Sequence, residues 1–405
     1  MNEPIKLLQS KNFKSAQVHI PGSKSESNRA LIISALEGNN GTIHNLATAR
    51  DTRTMQSLLN DHGKIQDVLD AGTTMRFLTA YYAVSNEHKV LTGTERMQER
   101  PIKILVESLR ELGCSINYTK EDGYPPIETV GFKEQLTDKL QIPGNVSSQY
   151  ISALLMIAPI LPSGLTVELT GAIGSRPYIQ MTLEILSAFG IKYNWSGNTI
   201  KINHQPLKKA SFTVEADWSG ASYWYAFATL GIHGGILLKG LKDDSFQGDR
   251  DIANIMSDLG IKTTFTEEGA YLQKIESASR VSIDFIDCPD LVQTVAVICA
   301  AKNIRGLFTG LESLKIKETD RIIALQNELK KINCSFRESE PGTYSIIPSD
   351  LPDRVEIDTY EDHRMAMAFA PLSMKLDVTI HDPGVVEKSY PEYWAEVRKA
   401  GIEII

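Results

Sequence analysis

The chain has 405 residues, of which 42% are hydrophobic and 23% charged, and it carries a net charge of −8. That length allows two or more domains with ample cores, and the acidic balance argues against a polyanion surface such as nucleic acid requires. No apolar run reaches the roughly 18 residues of a membrane span, and residues 1–6 lack the apolar stretch of a signal peptide. No membrane association and a cytoplasmic location are therefore the expectation. The four cysteines, Cys114, Cys288, Cys299 and Cys334, show neither CxxC spacing nor a histidine at ligand spacing. They are expected as reduced, mostly buried thiols.

In chain order, an extended stretch, Gln17-Val18-His19-Ile20, ends at Pro21-Gly22. A helix of small apolar residues is predicted from near Ser27, with Ser27 and Asn28 as cap oxygens beside Lys24, Ser25 and Arg29. Free N–H groups at such a start, flanked by cations, make an anion site, and phosphate is the anion of choice. The plainer alternative is a capped buried helix with two solvated cations.

The chain then repeats the device. Small-residue helices are predicted to begin near Ser27, Thr73, Ser148, Gly220, Leu291 and His363, at intervals of 46, 75, 72, 71 and 72 residues. Their bodies are 30–36, 75–84, 151–160, 222–230, 292–301 and 365–373. Each is followed by a short apolar strand and by an amphipathic helix ending near Gly63, Gly113, Gly190, Gly260, Asn333 or Gly401. Four repeats continue into hairpins, at Asp122-Gly123, Gly197-Asn198, Glu268-Gly269 and Pro341-Gly342. The short first interval marks a unit that has lost its hairpin. Six βαβαββ-like units fit an α/β chain of two domains with three units each, meeting near 213–218. Helices apolar nearly all round belong inside their domains.

The element starts carry charge that a core does not need. Lys24, Arg29, Arg76, Arg100, Arg176, Lys317, Arg321, Arg364 and Lys388 all sit at such positions in an acidic chain. Helix dipoles and cations gathered in this way suit several small anionic groups. Asp290 and Asp362 are either helix caps or partners of these cations. Glu318, three residues before Arg321, is either a helix salt bridge or a proton carrier. His363 is open between ligand contact, capping partner and packed imidazole. Cys288 has no nearby His or Lys in sequence to activate it as a nucleophile. Neither GxGxxG nor GxxxxGK[ST] occurs in a strand–loop–helix setting, and no residue set has metal-ligand spacing. Neither a metal nor another cofactor is indicated.

Six stretches together carry a resemblance. They are Pro21-Gly22-Ser23-Lys24-Ser25 with Ser27-Asn28-Arg29, Ala71-Gly72-Thr73, Glu99-Arg100-Pro101, Ser147-Ser148-Gln149, Lys317-Glu318-Thr319-Asp320-Arg321, and Asp362-His363-Arg364-Met365-Ala366. In this order the chain resembles the 5-enolpyruvylshikimate-3-phosphate synthase family over nearly its whole length. The resemblance implies the enolpyruvyl transferase fold: two domains of three βαβαββ units, hinged around a central cleft that holds the active site. It implies a domain of residues 1–20 plus 216–405, and an inserted domain of 21–215.

The implied reaction moves the carboxyvinyl group of phosphoenolpyruvate to the 5-hydroxyl of shikimate 3-phosphate and releases phosphate, by addition and elimination without a metal. Both small molecules are the implied partners, and a monomer is the expectation. By motif match, Lys24, Gly72, Arg100, Gln149, Arg321, Arg364 and Lys388 are implied to contact phosphoenolpyruvate. Lys24, Ser25, Arg29, Ser147, Ser148, Gln149, Ser175, Tyr178, Asp290, Ser313 and Lys317 are implied to contact shikimate 3-phosphate. Asp290 is the implied proton acceptor and Glu318 the donor, with Lys24 between the ligands and Lys388 assisting proton transfer. Two positions depart from the family pattern. Asp70 replaces an Asn before Ala71-Gly72-Thr73, and either repels phosphoenolpyruvate or pairs with a local Arg. Ser313 replaces an Asn four residues before Lys317, and a water could extend its reach.

Two other readings compete. A sister transferase acts on UDP-N-acetylglucosamine and uses a loop cysteine, but Cys114 falls at a helix-to-strand turn. A non-catalytic protein that binds phosphorylated metabolites would need the cations but neither Asp290 nor Glu318.

Overall fold

Small apolar helices lie at the centre of both halves of the chain, because no face of them suits water. The structure is a computed structural model that describes residues 3–10, 17–231 and 235–405. Its contacts divide the chain into two units, Lys24–Val214 and Met1–Ser23 with Glu215–Ile405. The crossings thus fall at Ser23/Lys24 and Val214/Glu215, a few residues from 20/21 and 215/216.

In the unit 24–214, three helices, Lys24–Glu37, Gly72–Val84 and Ser148–Ile157, pack on one another. From Tyr150 to Ile157 the third buries every residue. Burying each such Leu or Ile side chain contributes roughly 1.5–3 kcal/mol, so the helix is held by its surroundings. Two four-stranded sheets flank this core. One runs Ile65–Asp67, Lys89–Thr92, Ile127–Phe132, Cys114–Tyr118, and the other Tyr193–Ser196, Thr199–Ile202, Leu165–Thr170, Lys139–Pro143. Each has one parallel pair, for example Leu140 opposite Val167, and is otherwise antiparallel. The third sheet is only Thr42–His44 beside Ser211–Thr213. The short 46-residue interval leaves no chain for a hairpin there.

The other unit repeats the plan around Trp218–Leu230, Val292–Ala301 and His363–Phe369. Among the described residues its sheets are again three, two of four strands and one of three. The N-terminal strands join them. Ile5–Leu7 pairs antiparallel with Asp377–Ile380, and Gln17–His19 pairs parallel with Ile236–Lys239.

The amphipathic helices end mostly as the sequence predicts. Gly113, Gly190, Gly260, Asn333 and Gly401 all have positive φ, the left-handed backbone that closes a helix at low cost for Gly and Asn. One end differs: the helix Arg50–Leu59 stops at its cap Asn60, before Gly63. The first helix also starts earlier than predicted, at Lys24. Ser27 and Asn28 are therefore interior residues and not caps. Ser27 instead accepts a hydrogen bond from the Ala47 N–H at 2.9 Å. All four cysteines are free and buried. Among the described residues, no helix is long and apolar enough to cross a membrane.

Candidate active site

In the unit 24–214 the predicted residues gather at the starts of the buried helices. Lys24 opens the first, and its Nζ lies 3.2 Å from Asp51 on the neighbouring helix. Arg29, one turn on, is 2% exposed. Its Nε donates to Thr182 Oγ1 at 2.7 Å, Nη2 to Ser152 Oγ at 3.1 Å and Nη1 to the Ser25 carbonyl at 2.9 Å. Its guanidinium carbon also sits 5.3 Å from the Phe77 ring centre and 5.8 Å from that of Tyr178. Burial pulls its pKa down to about 10, against the opposing fields of Tyr178 and Glu26. A cation held in this way, by hydroxyls, a carbonyl and rings, is poised to gain from an arriving anion.

Gly72 opens the second helix against Arg100. A Cβ at Gly72 would stand 2.7 Å from Arg100 Nη2 and 2.8 Å from Nη1, so only glycine lets the guanidinium lie there. Arg76, counted in the sequence among the cations at helix mouths, is instead a brace. It donates to the Pro101 carbonyl at 3.0 Å and to the Gly72 carbonyl at 3.2 Å, tying Arg100's loop to the helix. Asp70 pairs with Arg50 at 2.8 and 2.9 Å, so of the two possibilities raised by the sequence the local pair is the one found.

Ser147 caps the third helix by accepting the Gln149 N–H at 3.4 Å, and the Gln149 amide donates to Thr73 Oγ1 at 3.2 Å. Ser148 is the first residue of that helix. Ser175 precedes the helix Arg176–Ala188 with φ at 53°, an uncommon backbone for serine. Tyr178 follows in the first turn of that helix. Arg176 stacks 4.2 Å over the Trp195 ring.

In the unit with the chain termini the cations meet carboxylates. Arg321 begins the helix Arg321–Lys331, whose cap is Asp320. It is 1% exposed and reaches three acids: Asp362 at 2.6 Å, Asp290 at 2.9 Å and Glu318 at 3.0 Å. Asp362 caps the last small-residue helix through the Arg364 N–H at 2.9 Å, so it is both a cap and a cation's partner. Arg364 donates to Asp290 at 2.7 Å and meets the Tyr223 hydroxyl at 3.2 Å. Lys317 stands 4.0 Å from Asp290, and Lys388 stands 3.8 Å from Glu318. Ser313 lies half-buried in the turn Glu312–Ile316.

Of the two possibilities left open for Asp290, cap or partner of cations, the partner is the one found. One reading changes. Glu318 lies in the bend before the helix, not on its face, and its bond to Arg321 joins loop to helix. Burial would raise the Asp290 carboxyl, but Arg364, Lys317 and Arg321 together hold it well below the usual carboxylate range. Arg321, by contrast, is pushed down by burial but raised overall by Asp362, Glu318 and Asp290.

Sequence reasoning missed Asp51, which meets Lys24, and Tyr223, which meets Arg364, each across a long chain separation, and it missed the buried Asp249, which accepts a hydrogen bond from Ser219. The thiols are buried and held protonated. Burial raises Cys114 to about 12 and drives Cys288 higher still.

The family model for EPSP synthase (3-phosphoshikimate 1-carboxyvinyltransferase) matches residues 9–68 and 57–397. A 3-phosphoshikimate 1-carboxyvinyltransferase from Bacteroides fragilis (strain YCH46) is 47% identical over 407 residues, covering 98% of each chain. One from Idiomarina loihiensis is 36% identical, covering 94% of this chain and 95% of its own. Among solved structures, an EPSP synthase from Acinetobacter baumannii matches with a TM-score of 0.79 at 20% identity, over 100% of this chain and 99% of that one. The enolpyruvyl transferase NikO from Streptomyces tendae matches with a TM-score of 0.77 at 10% identity, over 99% and 98%. The fold is the two-domain enolpyruvyl transferase fold, and the chain belongs to the EPSP synthase (3-phosphoshikimate 1-carboxyvinyltransferase) family.

Proposed function

We propose that this chain transfers the carboxyvinyl group of phosphoenolpyruvate to the 5-hydroxyl of shikimate 3-phosphate, releasing phosphate. The observation that carries the assignment of roles is the network of Asp290, Glu318 and Asp362 around Arg321 and Arg364. Arg29, with Ser25, Ser147, Ser148, Gln149, Ser175 and Tyr178, holds shikimate 3-phosphate. Arg100 beside Gly72, with Lys24 and Gln149, holds phosphoenolpyruvate. Arg321, Arg364 and Lys388 act on that same ligand, while Asp290, Ser313 and Lys317 act on the acceptor.

Asp290 takes the proton of the attacking hydroxyl. Its basicity is low while Arg364, Lys317 and Arg321 face it alone. Substrate phosphates and carboxylates offset those cations, so the base strengthens when both ligands are in place. Glu318, 3.8 Å from Lys388, delivers a proton to the methylene carbon as the hydroxyl adds, and takes a proton back from the resulting methyl group as the C–O bond to phosphate breaks. The cations stabilise the charge that develops on the tetrahedral intermediate. The enzyme works as a cytoplasmic monomer.

The test is phosphate release from phosphoenolpyruvate with each acceptor. Release that requires shikimate 3-phosphate supports the reading. Release with UDP-N-acetylglucosamine instead would assign the sister reaction. Tight binding of both ligands without turnover would leave only a metabolite-binding protein.

A further inference from the structure

One buried carboxyl group near Asp290 and Arg364 has no part in the chemistry above. Asp249 lies in the turn Gly248–Asp251 and is 2% exposed. Its Oδ2 accepts the hydroxyl of Ser219. Its Oδ1 is buried without a hydrogen-bond donor among the described residues. Ser219 sits in the first turn of the helix Trp218–Leu230 and is the one residue of that helix not buried. Tyr223, four residues on, lies on the same helix face and meets Arg364 Nη1 at 3.2 Å. Adjacent turns of one helix thus hold Asp249 and Arg364, and Arg364 in turn holds Asp290 at 2.7 Å.

The groups that face Asp249 are mixed in sign. Asp217 comes from the mouth of the same helix, Asp290 and Cys288 from the turn before Val292, and Arg364 from the last small-residue helix. Burial, then the charge of Asp290, push the Asp249 carboxyl up to about 7, against Arg364 and the Ser219 hydroxyl. Of the two neighbouring acids, one is held ionised and the other hovers near neutrality.

We propose that Asp249 is a positioning residue of the transfer reaction, whose charge decides how much of Arg364 is left for the anionic substrate. The inference rests on the function proposed above. When protonated, Asp249 makes no claim on Arg364. When ionised, it competes with phosphoenolpyruvate for that cation and adds to the basicity of Asp290. Rising pH therefore weakens the hold on phosphoenolpyruvate while it strengthens the base, so KM and kcat move together.

The test is the pH dependence of KM for phosphoenolpyruvate in wild type and in Asp249→Asn, between pH about 6 and about 8.5. Titration of the substrate phosphate is common to both proteins, so their KM ratio isolates Asp249. The wild-type to variant ratio should be near one at the acid end and rise about three- to tenfold at the alkaline end. A ratio that stays flat overturns the proposal. Ser219→Ala removes a hydrogen bond that favours ionised Asp249, so it should move the step to higher pH. An unmoved step would also overturn the proposal, and this variant decides alone if Asp249→Asn does not fold. A wild type that releases no phosphate with shikimate 3-phosphate defeats the functional reading, and this inference falls with it. A competent wild type with a flat ratio defeats this inference only.

Discussion

The two units hold their cations by opposite chemistry. In 24–214, Arg29 rests on two hydroxyls, a carbonyl and two rings, and Arg100 Nε meets no acceptor among the described residues. Lys24 has Asp51 and Arg50 has Asp70, but Arg29 stays a buried cation with neutral hydrogen-bond partners. In the unit with the termini, Arg321 alone spans three carboxylates. An uncompensated buried cation gains most from an incoming anion, whereas a compensated network changes little in charge but can pass protons. On the reading proposed above, the buried cation with neutral partners suits anion binding, and the carboxylate network suits proton transfer, although Arg321, Arg364 and Lys388 of that network are also proposed to meet phosphoenolpyruvate.

The sharpest break of this contrast comes from the acids. Asp290→Asn and Glu318→Gln keep shape and hydrogen bonding but cannot exchange protons usefully, so turnover should fall about 10²–10⁴-fold. A steady-state phosphate-release assay checks this. Normal turnover in Glu318→Gln would remove it as the donor. Next in size is Arg29→Ala. Thr182 still donates to Ser152 at 2.8 Å without the arginine, so the fold should persist. A lost charge-assisted bond of roughly 1.5–3 kcal/mol predicts about ten- to a hundredfold in KM for shikimate 3-phosphate. Gly72→Ala must push Arg100 aside, and small misplacements of a binding group commonly cost about tenfold or more. The loss should show in kcat/KM for phosphoenolpyruvate while affinity for shikimate 3-phosphate holds. Smallest of all, Cys114→Ser and Cys288→Ser should keep rates near wild type, because their buried thiols carry no reactive thiolate. A dead Cys288→Ser enzyme of intact fold would return the chemistry to sulfur.

The strings at the helix starts were legible because each is local. Lys24 with Arg29, Gly72, Ser147 to Gln149, Arg321 and Arg364 lie within a turn of an element boundary, and the repeat interval placed those boundaries. The errors were local too. The run Ser23-Lys24-Ser25-Glu26-Ser27-Asn28 offers several cap candidates, and only the backbone shows that the helix begins at Lys24. Spacing alone put Glu318 on a helix, while the Ile322 and Ile323 N–H groups, donating to the Asp320 carboxylate, fix the start after it. Pairings across the fold left no trace. Nothing near Gln17 or Ile5 announces strands beside Ile236–Lys239 and Asp377–Ile380. The same holds for Asp249, whose hydrogen-bond partner Ser219 is 30 residues away in the chain, and for Asp51 beside Lys24.

The separation of binding from proton transfer is tested most directly by calorimetric titration of shikimate 3-phosphate into Asp290→Asn and Arg29→Ala side by side. The expected result is an Asp290→Asn protein that binds within a few-fold of wild type although it barely turns over, and an Arg29→Ala protein weakened about ten- to a hundredfold. Unaltered affinity in Arg29→Ala, together with lost affinity in Asp290→Asn, would contradict the account.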